Sequence, residues 1–398
     1  MKRNQKKRIV YTQNTPVHVK LWHHDFWRLA IANMLLTMSV YMLIPILPLW
    51  LQQHEDTELT ALAMGAYGIG LFVMGPICNY LVQRYRRNHV CLFAVLLMLI
   101  CLSVFYLFVS GKLPLFRCAI AAVGLRFCLG MTFGLAQMVL MSTLIIDICE
   151  SFQRTEANHS ASWFGRFGIS LGPAVALIIW HYFGIEVMVL SCCVTCLFAM
   201  LLIRLVDFPF KAPEENVRMF SLDRFFLPDG WLLFINLLLV TTIAGLLFTT
   251  PLSYMFYSMM MGGFLLALLS EKFVFPNADL KSETVCGLIL IVAALLMVNQ
   301  SQTIMVNQFI PPVFIGFGIG IIGSRFLLFF IKLSRHCQRG TSQSTFFLAW
   351  ELGISMGLFL GYSYLSSRIY SSGIILAFVA LLMYVFVTHP WYMRNKNR

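Results

Sequence analysis

Apolar residues run along this chain in blocks of helix length, separated by short polar or charged connectors. Blocks of about twenty residues match the ~30 Å hydrocarbon core of a bilayer at about 1.5 Å per helical residue, so each predicts a membrane-spanning helix. A window of about twenty residues predicts roughly twelve spans. They centre near Met38, Phe72, Met98, Met131, Leu171, Thr195, Leu238, Met260, Ala293, Ile319, Gly357 and Ala380. The eighth block reads as short and follows the seventh almost directly, with Pro251 as the clear break. Met1 to Lys20 is polar and basic, and the first block opens only near Trp27 and runs about twenty-five residues, long enough to span the bilayer. It reads as a first span and not as a cleavable signal.

One transition from connector to apolar block occurs twice with the same residues. Gln153-Arg154, thirteen residues, then Gly168-Ile169-Ser170-x-Gly172 recurs as Gln338-Arg339, thirteen residues, then Gly353-Ile354-Ser355-x-Gly357. Both ends shift equally, since 339 − 154 = 185 and 353 − 168 = 185. A membrane chain built as two parallel repeats places its ligand site near the midplane between them. Two positions ahead of the first glycine the copies carry opposite charges, Arg166 in one and Glu351 in the other.

Composition narrows the class. Apolar residues make up 59% of the chain, mean hydropathy is +0.78 and charged residues reach only 12%, against about a quarter in soluble domains. The prediction is an all-α polytopic membrane protein. The net charge of +12 does not point to nucleic acid, because no soluble basic domain carries it. Basic residues gather instead in connectors on one side of the bilayer. With the N-terminus cytoplasmic, that side receives Lys2, Arg3, Lys6, Lys7, Arg8, Lys20, Arg84, Arg86, Arg87, Lys211, Arg218, Arg224, Lys332, Arg335, Arg339, Arg394, Lys396 and Arg398. The other side receives little beyond Lys112, Arg117 and Arg368, with the acids Glu55, Asp56 and Glu58. Both termini are therefore expected inside. The longest connector, rich in proline and charge, divides the chain into a six-helix bundle over 1–206, a cytoplasmic linker over 207–229 and a second bundle over 230–398. The 11 cysteines are odd in number and lie mostly in apolar blocks. Cys192, Cys193 and Cys196 lack His or carboxylate companions at ligand spacing, so they read as packing residues. No metal, cofactor or disulfide framework is expected.

With six plus six helices, termini on one side, a central loop and parallel repeats, the chain resembles the major facilitator superfamily of secondary transporters over nearly its whole length. Between the second and third blocks, Asn79-Tyr-Leu-Val-Gln83-Arg84-Tyr-Arg86-Arg87-Asn88 is similar to that family's G-x-L-x-D-R-x-G-R-R. The resemblance implies a cytoplasmic latch of Gln83, Arg84, Arg86 and Arg87. Gln83 replaces the acid and cannot form an ion pair, and the same cluster serves equally as a positive-inside anchor. Arg126-x-x-x-Gly130-x-x-x-Gly134 is similar to the family's R-x-x-x-G element, in which an intramembrane arginine influences proton coupling. Arg126, Gly130, Gly134 and Gln137 share a helical face, and a guanidinium at membrane depth calls for a wet cavity or a partner. Gly168-x-x-x-Gly172-Pro173 resembles part of the element that marks many antiporters of the family, although Ala176 and Leu177 replace its trailing glycines. Gly168, Gly172, Gly353 and Gly357 read as close-packing positions and Pro173 as a bend.

Glu351 is the sharpest single residue, about two turns into the eleventh block, with no other carboxylate as deep; Asp147 sits at the inner end of the fourth. An acid surrounded by hydrocarbon favours its protonated form, whereas an ion pair holds it charged. Glu351 is thus a proton carrier, half of a gate salt bridge with Arg166 or Arg325, or a helix-start acid tied to the connector. The resemblance places the first, fourth, seventh and tenth helices around the cavity. Asn33, Thr37 and Tyr41 form a polar ladder on the first, and Gln137 and Asn236 add amides. Such a lining suits amphipathic or weakly polar solutes better than phosphates. The chain contains no G-x-x-x-x-G-K-[ST] and no H-E-x-x-H, which argues against ATP-driven pumping and against an enzyme. The doubled Gly-Ile-Ser-x-Gly has the letters of G-x-S-x-G but lies inside helix-length apolar blocks, not at the strand-to-helix turn which that chemistry needs. The expected function is a secondary active transporter of a bacterial inner membrane, acting as a monomer on a small organic solute by proton-coupled efflux. An importer of a sugar or nucleoside-like nutrient and a non-transporting sensor are the alternatives.

Overall fold

The computed structural model describes residues 20–54, 57–112, 119–208, 213–214, 216–275, 280–300 and 306–396. Lys2, Arg3, Lys6, Lys7, Arg8, Glu55, Asp56, Arg117, Lys211 and Arg398 lie outside them. Regular structure among the described residues is helical. The first span is α1 (His24–Tyr41) continued after a turn by α2 (Leu47–His54), and the second is α3 (Thr57–Val73) and α4 (Gly75–Arg84), bent by 44°. α5 (Arg87–Val109) follows, then α6 (Ala119–Val139), which runs through the π-helical turn Leu140–Leu144 into α7 (Ile145–Asp147). α8 (Arg154–Arg204) is 51 residues long. The second half contains α9 (Trp231–Leu247), α10 (Tyr254–Phe273), α11 (Leu280–Gln300), α12 (Val306–Leu333) and α13 (Arg339–Tyr362). It ends with α14 (Ile369–Met383), a π turn and α15 (His389–Asn395).

Two junctions differ from a plain reading of hydropathy. The fifth and sixth spans join without a loop: α8 crosses, breaks at Gly184 with φ 82° and ψ 178°, and returns. That backbone region is open essentially to glycine alone. The eighth span is not short, because α10 runs for 20 residues from a Ser253 cap whose hydroxyl accepts the Phe256 N–H at 3.3 Å. Its mean hydropathy of 1.2 is the lowest of the nine full-length apolar helices among the described residues, so a sliding window shortens it.

Packing repeats between the halves. In the first, α1 lies against α8 and α3 against α6; in the second, α9 lies against α13 and α10 against α12. The doubled glycines make these contacts close. A β-carbon on Gly168 would meet the Met34 carbonyl oxygen at 2.7 Å, and one on Gly353 would meet that of Leu238 at 2.6 Å. Gly172 and Gly357 abut Met38 and the Thr242 backbone in the same fashion, and Pro173 sits inside α8 beside this seam. The serine of each motif turns the other way and joins the halves. Ser170 donates to the Tyr257 carbonyl of α10 at 2.5 Å, and Ser355 donates to the Met64 carbonyl of α3 at 3.0 Å.

Gly353→Val should lower the unfolding midpoint of purified protein well beyond Gly262→Ala, since Gly262 faces open space and overpacking against a fixed backbone costs about 1–3 kcal/mol. Equal midpoints for the two variants would show that the α9–α13 seam is not tight.

The face where α5, α8 and α13 begin carries the basic connectors. There the described part of the 207–229 segment is tied to both halves. Glu214 N–H donates to the Gln83 carbonyl and Ser221 N–H to that of Pro76, while Leu227 N–H donates to Thr345 Oγ1 at 2.8 Å. The connector is therefore a strap docked across the basic face.

Candidate functional site

A small cavity lies between the halves, with a volume of about 50 Å³, room for a few waters. Asn33 and Thr37 of α1, Gln137 of α6, Arg166 of α8 and Trp350 and Glu351 of α13 line it, among others. The amides are anchored by backbone or neighbour: Asn33 donates to the Ala161 carbonyl at 2.9 Å and Gln137 to Thr37 Oγ1 at 3.3 Å. Such anchoring leaves a mostly aromatic and aliphatic wall with few polar points.

Glu351 is buried at the end of the cavity away from the basic face, twelve residues into α13. Two phenols of the other half donate to it, Tyr41 to Oε1 and Tyr67 to Oε2, each at 2.9 Å. One turn beyond, Ser355 holds α3 through the Met64 carbonyl and the Gly68 N–H, each at 3.0 Å. Arg126 is the counter-charge. Its guanidinium stands 4.8 Å from the Tyr67 ring centroid, the side chain is only 1% exposed, and Nε and Nη1 lack hydrogen-bond partners. A buried cation over a ring that holds a carboxylate is a coupled cluster, assembled from α1, α3, α6 and α13.

Arg166 lines the same cavity but turns elsewhere. It is sandwiched by Trp163 at 4.4 Å and Trp350 at 5.8 Å and donates to Ser162 and to the Gly320 carbonyl. No ion pair joins it to Glu351 among the described residues. Arg325 is not a partner of Glu351 either. It pairs with Glu283 of α11 and, at 3.5 Å, with Glu271 of α10. Glu271 also meets His159 of α8 at 3.1 Å and accepts from Ser324 at 2.6 Å. These two acids correct the view that Glu351 is the one deep carboxylate. Hydropathy puts them at span ends, while tertiary packing buries them around Arg325. Asn236 also departs from the expected cavity lining: its amide donates to the Ala380 carbonyl of α14 at 3.1 Å, because that side of α9 packs on α14.

At the basic face Arg87 pairs with Asp147, so Asp147 closes a contact within the first half. Gln83 lines a polar pocket at this face together with Arg87 and Asp147, whereas Arg84 and Arg86 are exposed. The bond from this face to the second half comes from the strap: Arg224 donates through its backbone N–H to Thr341 and through Nη1 to Thr143. Cys192 and Cys196 are buried in packing, with Cys196 against the Val95 carbonyl of α5.

Two helical halves with repeated packing and a shared cavity, with charged groups buried at the seam, fit a membrane transporter. The chain belongs to the major facilitator superfamily, whose sequence profile matches residues 29–358. Solved structures share the fold at low identity. The POT family transporter PepTSo aligns with a TM-score of 0.67 at 12% identity, covering 94% of this chain and 99% of that one. A bacterial homologue of the iron transporter ferroportin, in an outward-facing state, gives 0.64 at 16%, with 94% and 100% covered. The human organic anion transporter TETRAN gives 0.61 at 12%, with 90% and 98% covered. No curated protein sequence matches the chain.

Proposed function

We propose that this protein is a proton-coupled secondary transporter of a small, weakly polar organic solute, working by alternating access between its two bundles. The observation that carries the reading is Glu351, an acid of the second bundle held by Tyr41 and Tyr67 of the first. As a carboxylate it accepts from both phenols through charge-assisted bonds, which are roughly twice as strong as neutral ones. A proton on Glu351 removes the charge, weakens both bonds and releases α13 from α1 and α3 on the side away from the basic face. The same residue thereby carries the proton and works the gate, and Tyr41 joins the gate although its ladder position suggested solute contact. Asn33, Thr37, Gln137 and Trp350 are the solute contacts in this reading. The Gly168-x-x-x-Gly172-Pro173 element supports export, and the basic connectors support a bacterial inner membrane with both termini inside. The protein is taken to act as a monomer.

Reconstituted protein presented with gradients of amphipathic compounds should move protons with the compound that it carries, and Glu351→Gln should not. Compound movement without protons in the wild type would remove the coupling role and leave sodium or exchange as the driving force.

A further inference from the structure

At the basic face a second pocket of about 470 Å³ opens between the halves and shares no lining residue with the chamber. Its wall includes Arg87, Arg154, Arg224 and Arg339 against Asp147 and Asp223. Arg154 and Arg339 are the arginines of the doubled Gln-Arg motif, 185 residues apart, so the repeat brings one cation from each bundle to a common pocket. Asp147 is engaged by Arg87, and no carboxylate stands at ion-pair distance from Arg154, Arg224 or Arg339 among the described residues. Nε of Arg87 and Nε of Arg154 are buried and lack hydrogen-bond partners.

Arg224 gives an independent sign. It is the one non-glycine residue with positive φ, 59°, among those described, a conformation that costs of order 1–3 kcal/mol and persists only where its surroundings impose it. Here the surroundings are Thr341 of the second bundle and Thr143 of the first, which hold its backbone N–H and its guanidinium at the pocket wall. Burial, and then the charge of Arg87 nearby, push the Arg224 guanidinium below its usual range.

We propose that this pocket is a binding site for a phosphate-bearing anion, gripped between Arg154 of one bundle and Arg339 of the other. Planar guanidiniums suit phosphate oxygens through paired N–H donors. An anion there satisfies the orphaned donors and holds the bundles together on the basic side. By linkage, a ligand that prefers the closed basic face stabilises it and slows its opening. This consequence for turnover rests on the transport reading above; the binding itself does not. The phosphate group can belong to a soluble compound or to an anionic lipid headgroup.

The test uses the full chain in nanodiscs of zwitterionic lipid, with and without pyrophosphate, chloride being adjusted to equal ionic strength. Parallel discs contain anionic phospholipid. Pyrophosphate should raise the unfolding midpoint of the wild type, and Arg154→Gln or Arg339→Gln should weaken its binding at least about tenfold. Arg154→Lys and Arg339→Lys should keep part of it, and Arg368→Gln, an exposed arginine outside the pocket, all of it. A rise with pyrophosphate assigns the site to soluble phosphates. A rise seen only with anionic lipid, and lost in the same two variants, assigns it to a headgroup. No rise with either, or an equal rise in Arg154→Gln and Arg339→Gln, overturns the proposal. A midpoint shift that survives when proton-coupled flux proves absent would keep the site and discard the transport reading.

Discussion

Glu351→Gln is expected to abolish proton-driven accumulation of solute, by about 100-fold or more, while leaving downhill exchange largely in place. The separation follows from what glutamine retains. Its carbonyl oxygen can accept from Tyr41 or Tyr67, as the Glu351 oxygens do at 2.9 Å, and its size keeps α13 packed on α3. It cannot take up or release a proton, so the step that ties gate opening to the proton gradient is gone. General acid–base groups at such positions contribute on the order of 10²–10⁴ in rate, and the lower end sets the expected loss. Exchange requires only that the bundles rock with solute bound. Measured as counterflow in proteoliposomes, it should stay within a few-fold of wild type. Loss of counterflow together with accumulation would make Glu351 a structural residue.

Arg325→Met should cause the largest loss of stability. Arg325 is 9% exposed and Glu283 1%, and the pair is joined by Glu271, His159 and Ser324. Removing one partner of a buried ion pair costs about 3–5 kcal/mol, because charge is left in low dielectric without compensation. The unfolding midpoint should fall on the order of 10 °C. Neutralising the acids as well should restore most of it, since replacing a whole buried network is often nearly neutral. Thermal unfolding of Arg325→Met beside Arg325→Met/Glu271→Gln/Glu283→Gln measures both. Failure of the triple variant to recover would place the role of Arg325 in packing and not in charge.

The two cases show where the sequence is legible. Glu351 stood out because a carboxylate within an apolar block is conspicuous at any register. That Tyr41, Tyr67 and Arg126 surround it was not legible, since they lie on three helices up to 310 residues away, and nothing local links them. Opposed charges at Arg166 and Glu351 suggested a pair, yet Arg166 is taken up by Trp163 and Trp350. Symmetry of position along two helices does not fix the direction in which side chains turn. Glu271 and Glu283 escaped notice because a charge near the end of an apolar block looks solvated.

By itself, the sequence determined the class, the all-helical architecture and the close-packed glycine seams. These depend on hydrophobic length and on small residues at helical spacing, which are local properties. Only the tertiary structure decided which charges meet. It put Tyr41 and Tyr67 on Glu351, enclosed Arg325 with two acids, and drew Arg154, Arg339 and the strap residue Arg224 to one pocket. Each of these is a contact between distant segments, set by how the helices rotate and pack against one another, and that rotation is fixed only when the bundles close.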